Sequence, residues 1–238
     1  MRNFLNILVA ALFFGCANVP APIDSHFNKG VEHYDNQNYA KAIEEYKLAL
    51  RKNASDTFAM YNLAVVYQDQ GKTDQAEKLY QDVLKIIEDS FSRINLAGIF
   101  YNKGNHEEAF EQLETAANKN PDSAYPLSAL GEFKEREGKL AEAEKNYLKA
   151  LSIDNRHALT HYRLGRLHLK QEKFATGVEH LRQASDLETE NPAYLETLGA
   201  EYERSGDYLE AVNFFERVSV LEPDRLDVYV KLGDRSEE

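Results

Sequence analysis

Three histidines in the stretch HALTHYRLGRLH are the first residues whose type and spacing could do chemistry. His157 and His161 stand four apart and His168 seven further on, so on a helix all three can share a face. Imidazoles so placed can ligate zinc or a similar divalent ion, and the reaction they would serve is that of a metal-dependent enzyme. The second reactive candidate is Cys16, the one cysteine of the chain. A single thiol makes no intramolecular disulfide, so no disulfide framework holds this fold. Other catalytic signatures are missing from the sequence: it has no Gly-rich phosphate loop after a strand, no nucleophile elbow and no zinc-protease helix motif. Acidic pairs such as Glu107–Glu108 fall on expected solvated faces and show no acid–base pairing. The formal charge is -12, from 40 acidic and 28 basic side chains. That balance excludes a nucleic-acid backbone as partner and a polybasic membrane patch, since both need clustered Lys and Arg.

The elements that would position these residues follow from an internal repeat. Small residues recur at Gly30, Ala64, Ala97, Gly131, Gly165 and Gly199, 34 apart except for one interval of 33. Twelve residues after each lies a second small position: Ala42, Ala76, Ala109, Ala143, Gly177 and Ala211. Four further on is a large apolar residue: Tyr46, Tyr80, Leu113, Tyr147, Leu181 and Phe215. Within one repeat, Met60, Leu63, Ala64 and Tyr67 fall on one helical face, and so do Ala76, Leu79, Tyr80 and Val83. Between them QGKTD breaks the helix, with Gly71 placed to take a positive φ. Each repeat is therefore expected to be a helical hairpin that buries its apolar face only by stacking on the next. In this frame His161 and His168 occupy columns that hold packing residues elsewhere, Met60 and Leu127 for one, Tyr67 and Tyr202 for the other. Packing histidines are thus expected, and no metal, cofactor or catalytic residue.

The columns resemble the tetratricopeptide repeat (TPR) over about residues 23–233. Its leucine before the small residue is matched by Leu63, Leu96, Leu130, Leu164 and Leu198, and its helix-A aromatic by Tyr67, Phe100 and Tyr202. Repeats one and five depart furthest. The resemblance implies an all-α fold: an α-solenoid, a right-handed superhelix of about six hairpins over 24–223, with a short C-terminal capping helix and tail over 224–238. Its first helices would line a concave groove that takes a protein or peptide partner.

The amino terminus carries a second resemblance. Arg2, an apolar run from Phe4 to Phe14 and the pair Gly15-Cys16 resemble a bacterial lipoprotein signal, with Phe13 where that pattern usually has leucine. The run falls short of the ~20 apolar residues a spanning helix needs, and suits an export signal. Residues 1–16 are read as the signal, Cys16 as the lipid attachment site and 17–23 as a tether. This implies export across the inner membrane and a lipid anchor in the cell envelope, on the outer membrane facing the periplasm. Similar repeat lipoproteins act in pilus assembly, outer-membrane assembly and cell-wall enzyme regulation. The sequence leaves the oligomeric state open.

Residues offset from the core columns give the candidate groove. In repeat two these are Phe58, Tyr61, Asn62 and Val65; in repeat three Phe91, Ile94, Asn95 and Tyr101. Repeat one offers Phe27, Val31 and Tyr34, and repeat four Tyr125. A second apolar face on one helix implies a contact, because large exposed apolar patches mark binding sites. Repeat five adds a basic island, Tyr162, Arg163 and Arg166, beside Glu132, Glu135, Glu196 and Glu203. The carboxylate clamp of chaperone-binding relatives would need Lys and Asn where this chain has Phe27 and Val31, so a chaperone tail is not the expected ligand. The alternative is that these aromatics pack between adjacent first helices. The rival functions are the metal-dependent enzyme above and a self-assembling structural array.

Overall fold

A computed structural model of the protein describes residues 25–225. The signal, the tether, Cys16 and all but the first two residues of the expected cap lie outside the described residues. Within them every regular element is an α-helix. The helices run α1 (Ser25–Asp35), α2 (Tyr39–Lys52), α3 (Thr57–Asp69), α4 (Thr73–Ile86), α5 (Ser90–Asn102) and α6 (His106–Lys119). They continue as α7 (Tyr125–Arg136), α8 (Leu140–Ile153), α9 (Ala158–Lys170), α10 (Phe174–Leu187), α11 (Pro192–Ser205) and α12 (Tyr208–Leu221). Odd helices pair with the even helices that follow them, giving six hairpins. The chain divides between Lys119 and Asn120 into an N-terminal unit, α1–α6, and a C-terminal unit, α7–α12. Among the described residues no helix is long and apolar enough to cross a membrane.

Each hairpin turns the same way for the same reason. The residue after the first helix enters the left-handed region, and the next N–H reaches back to close the turn. In hairpin two Gly71 has φ 71° and Lys72 N–H donates to the Tyr67 carbonyl at 2.8 Å. Gly104, Gly138 and Gly206 repeat this with φ of 86°, 76° and 84°. Hairpins one and five put Gln37 (φ 57°) and Glu172 (φ 61°) at the same place. Their closing bonds survive, Asn38 N–H to His33 O at 2.7 Å and Lys173 N–H to His168 O at 2.9 Å. The two repeats furthest from the family pattern thus keep the turn and carry its strain.

The three sequence columns meet in space. Tyr46 and Tyr80 in the N-terminal unit, and Tyr147 and Phe215 in the C-terminal unit, are fully buried. Tyr46, Tyr147 and Phe215 each lie against the glycine of their own first helix, Gly30, Gly131 and Gly199. A Cβ on Gly131 would stand 2.5 Å from Tyr147 Cε1, so the ring occupies the space that glycine leaves. Burying such a ring contributes about 1.5–3 kcal/mol. The phenols still find acceptors: Tyr80 donates to Gln68 Oε1 and Tyr147 to Glu135 Oε2, both at 3.2 Å.

Candidate partner-binding face

The first helices of the N-terminal unit are α1, α3 and α5, and the predicted groove residues fall on them at different depths. Phe27 is buried, its ring 5.9 Å from that of Tyr46. Val31 is half-buried against the same core. Tyr34 is half-buried, and its hydroxyl donates to Asp69 Oδ2 at 2.7 Å. Burial, and then that hydrogen bond, push the Tyr34 phenol far above its ordinary pKa, so it remains a donor. Tyr61 packs its ring 5.6 Å from Tyr80, and its hydroxyl accepts from Asn95 Nδ2 at 3.1 Å. Asn95 and Tyr101 are buried, and Tyr101 stacks on His106 at 4.3 Å. Phe91 is half-buried.

Phe58 stands apart, with 68% of its surface open to solvent on the first turn of α3. Asn62, one turn on, is half-buried and donates its Nδ2 to the Phe58 carbonyl at 2.8 Å. The Asn62 carbonyl oxygen faces no partner in that bond. A flat apolar ring with an amide one turn away can seat an extended peptide, the ring by burial and the amide by pairing with main chain.

The first helices of the C-terminal unit, α7, α9 and α11, are joined by polar bonds. Arg163 donates to Ser128 Oγ at 3.0 Å and pairs with Glu132 through its other nitrogen. The Tyr162 and Thr197 hydroxyls lie 3.2 Å apart, and the Tyr162 ring lies 4.6 Å from Tyr194. Tyr125 meets His157 edge-on at 4.3 Å. Arg166 is exposed, its guanidinium 5.4 Å over the Tyr162 ring. Glu196 pairs with Arg225 at 3.2 Å. Of the predicted basic island, then, Arg163 is neutralised and Arg166 remains at the surface.

Four of these bonds, Tyr34–Asp69, Asn95–Tyr61, Tyr162–Thr197 and Arg163–Ser128, span 34 or 35 residues, one repeat. They hold consecutive first helices together. The expected groove residues therefore divide into those that build the wall and those that stand on it. Sequence spacing could not make this division, because both kinds are offset from the core columns alike.

The histidine constellation resolves differently. His157 caps α9: its Nδ1 accepts from Thr160 N–H at 3.2 Å. The same column holds Asp56, Asp89 and Asn191, which cap α3, α5 and α11. Burial pushes the His157 imidazole down to about 4, so it is neutral and able to accept. His161 and His168 pack toward α10 and α8 instead; His168 Nε2 lies 3.1 Å from Glu144 Oε1. Among the described residues no group of three or more His, Cys, Asp or Glu side chains could hold a metal ion. The shared metal face over His157, His161 and His168 is thus corrected, because the first of the three spends its lone pair on its own helix. The cap column was legible in the sequence as Asp56, Asp89, His157 and Asn191 at multiples of the repeat interval, but it lies outside the apolar pattern.

With the geometry in hand, the chain can be set beside known proteins. The profile of the TPR family described as the cilia and flagella-associated protein 70 C-terminal domain matches residues 35–237. Anaphase-promoting complex subunit 3 of Schizosaccharomyces pombe is 24% identical over 115 residues, which cover 48% of this chain and 17% of that protein. The structure of yeast Tom70 superposes with a TM-score of 0.77 at 17% identity, over 89% of this chain and 46% of the other. That of Pseudomonas aeruginosa pilF does so with a TM-score of 0.62 at 19% identity, over 90% of this chain and 97% of the other. At these identities the two structures speak to the fold, a TPR solenoid. The chain spans less than half the length of subunit 3 and of Tom70.

Proposed function

The chain belongs to the family of the cilia and flagella-associated protein 70 C-terminal domain, and from that premise we propose that it is a non-catalytic, membrane-tethered scaffold. A TPR array is a protein-binding fold. The occupant proposed for this one is an extended segment of a partner protein, held on the first-helix face of the N-terminal unit. One observation carries that choice: Phe58 is 68% exposed among neighbours that are closed by bonds and packing. An exposed ring costs hydration and returns it when a partner covers it.

The tether is Cys16, modified with lipid after removal of the signal. The apolar run and the Gly15-Cys16 pair support this reading. Each buried methylene of the lipid contributes about 0.8 kcal/mol, so two acyl chains hold the protein to the envelope. The task served is assembly or regulation of an envelope complex, of the pilus-assembly type.

Capture from native envelope extracts tests the face. Phe58→Ala combined with Asn62→Ala should cut partner recovery about tenfold or more, as expected of a central aromatic anchor. Helical circular dichroism should be unchanged. Undiminished recovery by a folded variant removes the site. Globomycin treatment, or Cys16→Ser, should leave uncleaved or unlipidated precursor, and an unaltered mature form removes the anchor.

A further inference from the structure

Hairpin five contains a polar contact that the partner-binding reading does not use. His161 on α9 and His180 on α10 face each other with their Nδ1 atoms 3.0 Å apart. The rings lie 5.3 Å apart, and the His168 ring stands 5.5 Å from that of His180. His161 and His168 are buried and His180 is half-buried. The helices also approach closely here: a Cβ on Gly165 would lie 2.9 Å from the Gly177 carbonyl oxygen.

The hydrogen positions follow from the partners. His161 Nε2 is 2.9 Å from the Asn155 carbonyl oxygen, which can only accept, so Nε2 carries the hydrogen. In the neutral ring Nδ1 is then bare, and His180 Nδ1 must donate to it. One added proton can be absorbed: His161 becomes the donor and His180 moves its hydrogen to Nε2. A second cannot, because both facing nitrogens would then carry hydrogen and both rings a charge.

The surrounding charges do not relieve this. Glu144 from α8 takes His168 Nε2 at 3.1 Å and Lys173 Nζ at 3.4 Å. Glu179, on α10 itself, favours a proton on His180, but burial and then His161 and His168 oppose it and hold that imidazole below its ordinary range. On α9, His157 is a buried neutral cap, near Asp154. Arg163 is paired with Glu132 from α7, and α11 meets α9 through Tyr194 and Tyr162.

We propose that His161 and His180 form a proton-operated latch, which joins α9 to α10 at neutral pH and releases in acid, so that hairpin five loosens ahead of the others. The same two columns show the contrast. In hairpin one they hold His26 and Glu45, with Nδ1 and Oε2 2.6 Å apart. A proton there completes an ion pair instead of breaking a bond. In hairpin six they hold Leu195 and Phe214, which pack without polar atoms.

Amide hydrogen exchange on the full chain at pH 7.5 and 4.5, expressed as protection factors, tests the latch. Protection in α9 and α10 should fall at least ~tenfold more than in α1 and α2, a factor equivalent to one unit of pKa displacement. Made in a His157→Asn background, which keeps the cap but removes its own acid response, the His161→Leu/His180→Phe variant borrows the hairpin-six pair and should abolish that excess. An excess that persists in the folded variant overturns the proposal, as does no excess in the wild type. Ring titration of the wild type by NMR needs no variant. The His180 ring is expected to titrate below its ordinary value of about 6.5. Titration of His180 at or above that value overturns the latch.

Discussion

His157 shows how a residue type can mislead until its neighbours are known. By composition it is a metal ligand or a base; in place it is a helix cap, an imidazole doing what Asp56, Asp89 and Asn191 do in their own hairpins. The substitution brings a pH dependence. The folded imidazole titrates at about 4, below its unfolded value of about 6.5. Above the unfolded value neither state binds the proton and stability is full. As pH falls through this window the unfolded chain takes up a proton that the folded chain refuses, and stability drops. The loss is on the order of 3 kcal/mol at full development. His157→Asn keeps the cap and should remove that part of the slope, read as the urea midpoint between pH 7 and 4. Gln37 and Glu172 are the other residues out of type, holding the left-handed position that glycine holds elsewhere. Glu172→Gly should raise stability by about 1 kcal/mol in equilibrium unfolding, because a side chain there costs roughly 1–2 kcal/mol.

At the scale of the element, the pairing of a small residue with a large one sets how closely two helices approach. Gly131 leaves its volume to Tyr147, and a Cβ would meet the ring at 2.5 Å. Hairpin two shows that the conflict can be met, since Ala64 and Tyr80 are both fully buried there. Gly131→Ala is therefore expected to cost about 1 kcal/mol, the low end of overpacking. Adding Tyr147→Leu, the side chain that hairpin three uses as Leu113 opposite Ala97, should recover part of it. A double-mutant cycle in urea measures the coupling. Leu113→Ala, by contrast, removes a fully buried side chain and should cost about 2–5 kcal/mol.

For the whole molecule, the two compact units carry different faces. Polar bonds tie the first helices of both units, Tyr34–Asp69 and Asn95–Tyr61 in the N-terminal unit and Arg163–Ser128 and Tyr162–Thr197 in the C-terminal one, and the N-terminal unit adds an exposed ring at Phe58. The proposed partner capture falls on the first and the proposed acid response on the second. On the proposed lipid anchor, Cys16→Ser should move the protein from the membrane to the soluble fraction on cell fractionation, with unfolding behaviour unchanged.

The sequence alone determined the all-α class, the glycine turns of hairpins two, three, four and six, and the large columns whose rings are buried. Their cause is local and periodic: helix spacing, a turn residue, and a small position facing a large one recur at a fixed interval and need no knowledge of distance. The candidate face was only partly legible. Phe27, Phe58 and Asn95 look equivalent along the chain, since all lie off the core columns. Which one is covered depends on atoms a whole repeat away, and only the tertiary structure supplies those. The same holds for the pairing of His161 with His180, nineteen residues apart: the sequence singled out His161 but not its partner. Two imidazoles become one proton site only when two helices, packed on glycine, bring them within hydrogen-bond reach.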